Sequence, residues 1–175
     1  RLLFYTGPKF LLYLGGGVIG LACFGPAALR GHFMADESVR RRWMVVFATL
    51  ATAPLLVASL KASTHVFCPS ELAHYGGKEA YQPVFRRYTD ADRPQKPGGG
   101  FPAGHASGGF SLVALAGIGR TRRGRLAGLA VGLVTGGTMG TYQMLKGAHF
   151  LSHTLVTALL CWLVFVAWHR VIVGG

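Results

Sequence analysis

Residues 150–168 read FLSHTLVTALLCWLVFVAW, a run without one charged side chain. A helix needs roughly 20 apolar residues to cross the hydrocarbon core of a bilayer, and this run supplies them. Two histidines sit at its mouth, in Gly147-Ala148-His149-Phe150-Leu151-Ser152-His153. The segment therefore reads as a membrane helix that carries chemistry at one end.

The rest of the chain agrees. Of its 175 residues 51% are hydrophobic and 14% charged, with a mean hydropathy of +0.39, whereas soluble domains carry about 25% charged residues. The length fits one domain spanning residues 1–175. Apolar blocks near Phe10–Ala28, Trp43–Lys61, Ala106–Gly119, Leu126–Lys146 and Phe150–Trp168 predict an all-α, polytopic membrane helix bundle with five to six spans. The third block is short, so its helix is expected to begin inside the Gly-rich turn before it. Gly128, Gly132, Gly136, Gly137 and Gly140 predict close helix approach, the usual role of small residues in membrane bundles.

Basic residues orient the bundle. Arg30, Arg40, Arg41 and Arg42 fall between the first two blocks, Arg120, Arg122, Arg123 and Arg125 between the third and fourth, and Arg170 after the last. The positive-inside rule makes that side cytoplasmic. It also accounts for much of the net charge of +12, and with no aromatic-interleaved basic stripe there is no argument for nucleic acid as a partner. The expected partner is the bilayer. Five spans with the C-terminus inside place the N-terminus outside and leave room for a sixth span upstream. Arg1 onward shows no signal-peptide pattern. Cys23 and Cys161 read as small core residues, Cys68 as a lone outward-facing thiol, and Trp43, Trp162 and Trp168 as interface anchors or packing.

The long connection, residues 62–101, then lies on the outer face and is read as an active-site cover, with one short surface helix around Pro83–Tyr88. Its Glu71, Glu79, Asp90 and Asp92 alternate with Lys78, Arg86, Arg87 and Arg93, as on a solvated surface. The connection ends in Gly98–Gly109, reading GGGFPAGHASGG, which runs directly into an apolar block. A Gly-rich turn at a helix N-terminus presents backbone N–H groups and a positive dipole end, which together bind phosphate. His105 there is placed to protonate a leaving oxygen.

His149 and His153 are four residues apart, so on a helix they share a face, with Lys146 one turn before. Zinc is one reading of such a pair, with His65, His74 or Glu71 as a third ligand. A structural role is another. An imidazole nucleophile held by a second group fits better, because no acid or thiol is adjacent.

With Lys61, Phe101–His105 and Gly147–His153 at helix ends in this order, the chain from Lys61 onward resembles the type 2 phosphatidic acid phosphatase (PAP2) family, related to vanadium haloperoxidases. That family's motifs are Lys, six residues, Arg-Pro; then Pro-Ser-Gly-His; then Ser-Arg, five residues, His, three residues, Asp. The resemblance implies a metal-free, cofactor-free phosphatase. It assigns Lys61 to phosphate binding with Pro69 as the motif proline, Gly104 to a phosphate-binding N–H, His105 to the general acid, and His149 to the nucleophile that becomes a phosphohistidine. Cys68 stands in place of the first Arg, Ala103 of the Ser, Gln143 of the second Arg, and His153 of the Asp. Lys146, Arg93 or Lys96 are the candidate replacement cations, with Gln143 beside the phosphate. His153 or Glu71 is the candidate orienter of His149.

Two functions follow from this resemblance. One is a lipid phosphatase at the outer face of a bacterial inner (cytoplasmic) membrane, its site facing the periplasm. Its substrate would be undecaprenyl pyrophosphate, a phosphatidate-type lipid or a lipid A phosphate. The other is a degenerate relative that binds or carries such a lipid without hydrolysing it.

Overall fold

The computed structural model describes residues 7–25, 36–84 and 98–174. Among these the protein is all-helical, with α1 (Gly7–Phe24), α2 (Glu37–Thr64), α3 (Gly104–Ser111), α4 (Arg122–Leu145) and α5 (Leu151–Ile172). α3 gives way at Leu112 to a 3-10 segment running to Gly117. α2 and α5 are long and apolar enough to cross a membrane, and most of each apolar stretch is exposed rather than buried in the fold. That is the pattern of helices solvated by lipid.

α2 starts earlier than its apolar block. Asp36 caps it by accepting from Ser38 N at 2.8 Å. Glu37 in the first turn holds Arg40 and Arg41, with Arg41 Nε at 3.1 Å. Arg40, Arg41 and Arg42 are therefore helical residues rather than a connection. The same correction holds for Arg122, Arg123 and Arg125, which lie in the first turn of α4 behind the Thr121 cap. In both places the helix begins before its apolar block does, because capped, charged residues form its first turn.

α4 packs through a ridge of glycines one turn apart. A Cβ at Gly128 would meet the Leu115–Ala116 backbone at 2.5 Å, and one at Gly132 or Gly136 would overlap Val113 or Phe110. Gly140 faces Thr154 of α5 in the same way. Gly137, one residue off the ridge, has nothing within 4 Å. The ridge lets α3 and the 3-10 segment lie directly on α4. α5 is tied to α2 by Trp168 Nε1, which donates to Thr52 Oγ1 at 2.9 Å.

Two buried clusters fill the bundle. Val45, Val46, Val113, Ala114 and Phe165 form one, and Ala53, Ala103, Ala106, Phe110 and Cys161 form the other. The second includes the start of α3 and so fixes the turn that bears His105. Cys23 and Cys161 are buried and free, as expected of small core residues.

Candidate active site

The connection after α2 is more ordered than a loose cover. His65 ends α2 in the left-handed region, at φ 50°, and the chain then makes two 3-10 turns, Pro69–Glu71 and Ala73–Tyr75. Ser70 N donates to Gly147 O at 2.9 Å, which joins this turn to the loop before α5. The helix expected around Pro83–Tyr88 falls mostly outside the described residues, and Pro83 and Val84 are not helical. Arg93 and Lys96 also lie outside them.

The three glycines of the returning strand of loop explain how the site is assembled. A Cβ at Gly98 would lie 2.5 Å from His65 O, and one at Gly100 would lie 2.6 Å from Phe67 O. Only glycine permits two backbones to run this close. The approach places Gly99 beside Lys61, whose Cε is 3.3 Å from the position of a Cβ there. Thr64 Oγ1 donates to Phe101 O at 2.6 Å and holds the register.

The start of α3 comes next. Its N-cap, Ala103, supplies no side-chain acceptor, so no side chain caps the N–H groups of the first turn. Ala103 N instead donates to Thr157 Oγ1 of α5 at 2.9 Å, and Thr157 Oγ1 donates to His153 O at 2.9 Å. Gly104 faces Lys61: a Cβ there would stand 3.8 Å from Lys61 Cδ and 3.9 Å from its Nζ. A cation and a positive helix end therefore face the same space, which is an arrangement for an anion.

His149 is 4% exposed and precedes α5 rather than belonging to it. Its Nδ1 is 2.7 Å from the Gly100 carbonyl. A carbonyl oxygen only accepts, so Nδ1 carries the proton and donates, which leaves Nε2 with a free lone pair. Burial pushes its pKa down to about 4; the Gly100 carbonyl pulls the other way, and the charges of Lys61, His153 and His105 lower it further. The ring is neutral at pH 7. The same charges show that Lys61, His105, His149 and His153 share one electrostatic environment, although they come from α2, α3 and the two sides of the α5 N-cap.

His153 does not orient His149. The two rings stand 5.9 Å apart, centroid to centroid, and the Nδ1 proton of His149 goes to Gly100. His153 is 5% exposed and boxed by Phe101 and Phe150 at 5.2 and 5.3 Å, and its own Nδ1 makes no hydrogen bond of good geometry. Glu71 is not the orienter either: the His149 Nδ1 proton goes to Gly100 O, and Glu71 Oε2 accepts from Cys68 N at 2.7 Å. Gly100 was beyond sequence reasoning, since the acting group is a main-chain oxygen. Thr157 had a signal: it lies one helical turn after His153 on the same face.

The other candidate residues divide. Gln143 is buried at the end of α4. Lys146 is exposed, with its ammonium 5.4 Å from the Tyr142 ring centre. Cys68 is half-buried near Lys61, and burial raises its thiol to about 11, so it is neutral. His74 meets Tyr75 edge to face at the surface. Among the described residues no three His, Cys, Asp or Glu side chains converge on a metal-sized space.

A groove of about 730 Å³ opens beside His153, walled by Val66, Tyr81, Val84, Phe101, Phe150 and Val156. It is largely apolar, it follows the first turns of α5 at Leu151, Ser152 and Val156, and His153 is the member of the polar cluster that lines it.

No curated protein and no solved structure matches the chain. The PAP2 superfamily model matches residues 42–174, which takes in Lys61, the His105 turn and both later histidines. With the family's motif positions gathered at one end of a helical bundle and its model covering most of the sequence, this chain belongs to the PAP2 superfamily, a family of phosphatases acting on phosphorylated substrates.

Proposed function

We propose that the protein is a metal-independent membrane phosphatase that hydrolyses a phosphomonoester or pyrophosphate of an amphiphile through a phosphohistidine on His149. The observation that carries this reading is the hydrogen bond from His149 Nδ1 to the Gly100 carbonyl, on a ring kept neutral by burial. It fixes the tautomer that a nucleophilic Nε2 requires.

The substrate phosphate lies between Lys61 and the uncapped start of α3 at Gly104. His149 Nε2 attacks phosphorus; the N–P bond forms as the bond to the leaving oxygen breaks, and protonated His105 gives that oxygen its proton. Water then attacks the phosphohistidine and gives a proton back to His105, which releases inorganic phosphate and restores His149. The apolar groove beside His153 takes the hydrophobic part of the substrate and supports a lipid rather than a soluble phosphate ester. The arginines at the far end of the bundle support a site on the outer, periplasmic face.

A second reading is a phosphate-lipid binder without turnover. Half-buried Cys68 and buried Gln143, where the family has guanidiniums, favour it, because Arg clamps the transferring phosphoryl in a way these side chains cannot. The deciding experiment is phosphate release by purified protein in detergent from polyprenyl, glycerolipid and lipid A phosphates, with EDTA present and a His149→Ala control. Release that survives EDTA and disappears in the control is expected. Tight binding without release from any of them would favour the binder.

A further inference from the structure

The end of the bundle away from His105, His149 and His153 holds a second cavity, of about 330 Å³, between the 3-10 segment, the start of α4 and the end of α5. Its walls include Leu126, Leu129, Trp162 and Val166, and its rim carries Arg125, His169 and Arg170. His169 lies 16 residues beyond His153 on α5, or about 24 Å along the helix axis. The cavity is therefore separate from the candidate active site.

Among the described residues no acidic side chain neutralises the rim charge. The acidic residues described at this end are Asp36 and Glu37. Glu37 pairs with Arg40 and Arg41, and Asp36 caps α2 and reaches Arg120 at 3.4 Å. Neither Arg125 nor Arg170 has an ion pair among the described residues. The positive end of the α4 dipole adds to Arg125 and to the adjacent Arg122 and Arg123. Beneath this charge the walls are apolar, and Leu126 and Trp162 are 53% and 39% exposed on the lipid-facing side.

We propose that this cavity is a binding site for one anionic phospholipid of the membrane leaflet at that end, with its phosphate on Arg125 and Arg170 and part of an acyl chain along Leu129, Trp162 and Val166. Charge complementarity selects an anionic headgroup, and the apolar wall selects a lipid over free phosphate. The volume lies at the lower end of ligand-sized cavities, about 300–1,000 Å³, enough for part of one chain. Lipid filling the space between α4 and α5 would brace the bundle from the end opposite the chemistry.

The test compares retention of phosphatidylglycerol and phosphatidylcholine by the full chain in neutral detergent, read by native mass spectrometry, with inorganic phosphate as competitor. Wild type and Lys61→Gln should retain phosphatidylglycerol preferentially. Arg125→Gln/Arg170→Gln should lose that preference by about tenfold or more, since each cation near a bilayer contributes roughly a fivefold factor. Both changed side chains are exposed, and an unaltered gel-filtration profile and helix content would show that the variant is folded. Equal retention of the two lipids, unchanged preference in the double variant, loss in Lys61→Gln alone, or displacement by millimolar phosphate would each overturn the proposal.

Discussion

A neutral imidazole buried beside a lysine leaves a mark on pH dependence. In the unfolded chain His149 titrates near its ordinary value of about 6.5, whereas in the fold it titrates near 4. Between those values the unfolded chain binds more protons, so stability falls as pH drops through that window. The thermal midpoint in detergent should decline from pH 7 to pH 4.5, and the decline should be shallower in His149→Asn. An identical slope in that variant would mean that His149 is not held neutral. The two lost arginines differ in how they can be restored. Cys68 is half-buried within the electrostatic reach of Lys61, so if the substrate phosphate sits on Lys61, Cys68→Arg should raise phosphate release several-fold. Gln143 is 4% exposed, and an unpaired charge there is costly. Gln143→Arg should lower the melting temperature, with recovery on adding vanadate. At this scale Lys61, His105, His149 and His153 were legible because each ends an apolar block. What the sequence did not reveal was which group holds the His149 ring, since any residue's main chain carries a carbonyl.

At the level of elements, α4 is organised by a four-residue glycine ridge, and its positions are not equivalent. Gly132→Ala forces a Cβ into Val113 and should cost about 1–3 kcal/mol, as overpacking does. Gly137→Ala meets nothing within 4 Å and should be neutral or stabilise the helix by up to about 1 kcal/mol. Melting curves of the two variants in one detergent check the contrast, and equal losses would remove the ridge as the packing device. The ridge was visible as a spacing of four in the sequence, but Gly137 was grouped with it because composition alone does not report facing. Helix starts were misplaced for a different reason. Asp36 and Thr121 cap their helices by hydrogen bonding, and a hydropathy pattern is blind to turns that lie in water.

For the whole molecule, charge and chemistry occupy opposite ends. The histidine cluster sits where α2 ends and α3 and α5 begin, and the arginines of α2, α4 and α5 gather at the other extremity. If the positive-inside rule sets this topology, a Lys78→Cys variant should react with an impermeant thiol reagent added outside the cell, above the background of the parent chain. Labelling only after the cells are opened would reverse the orientation. The family, the all-helical class and the gathering of three distant motifs were readable from the chain because they follow from block lengths and block ends. The number of membrane crossings was less readable: α2 and α5 meet the length and hydropathy expected of a span, while α4 is Gly-rich and α3 is only eight residues long. The Gly100 carbonyl has one more consequence, for inheritance. A carboxylate that orients a nucleophile disappears with one codon change, but an oxygen of the backbone has no codon of its own. Drift can remove it only by moving the loop. If His149 is the nucleophile, a lineage that gives this task to its main chain is free to let the family's aspartate become histidine, and a census of active relatives that counts side chains alone would set such lineages aside.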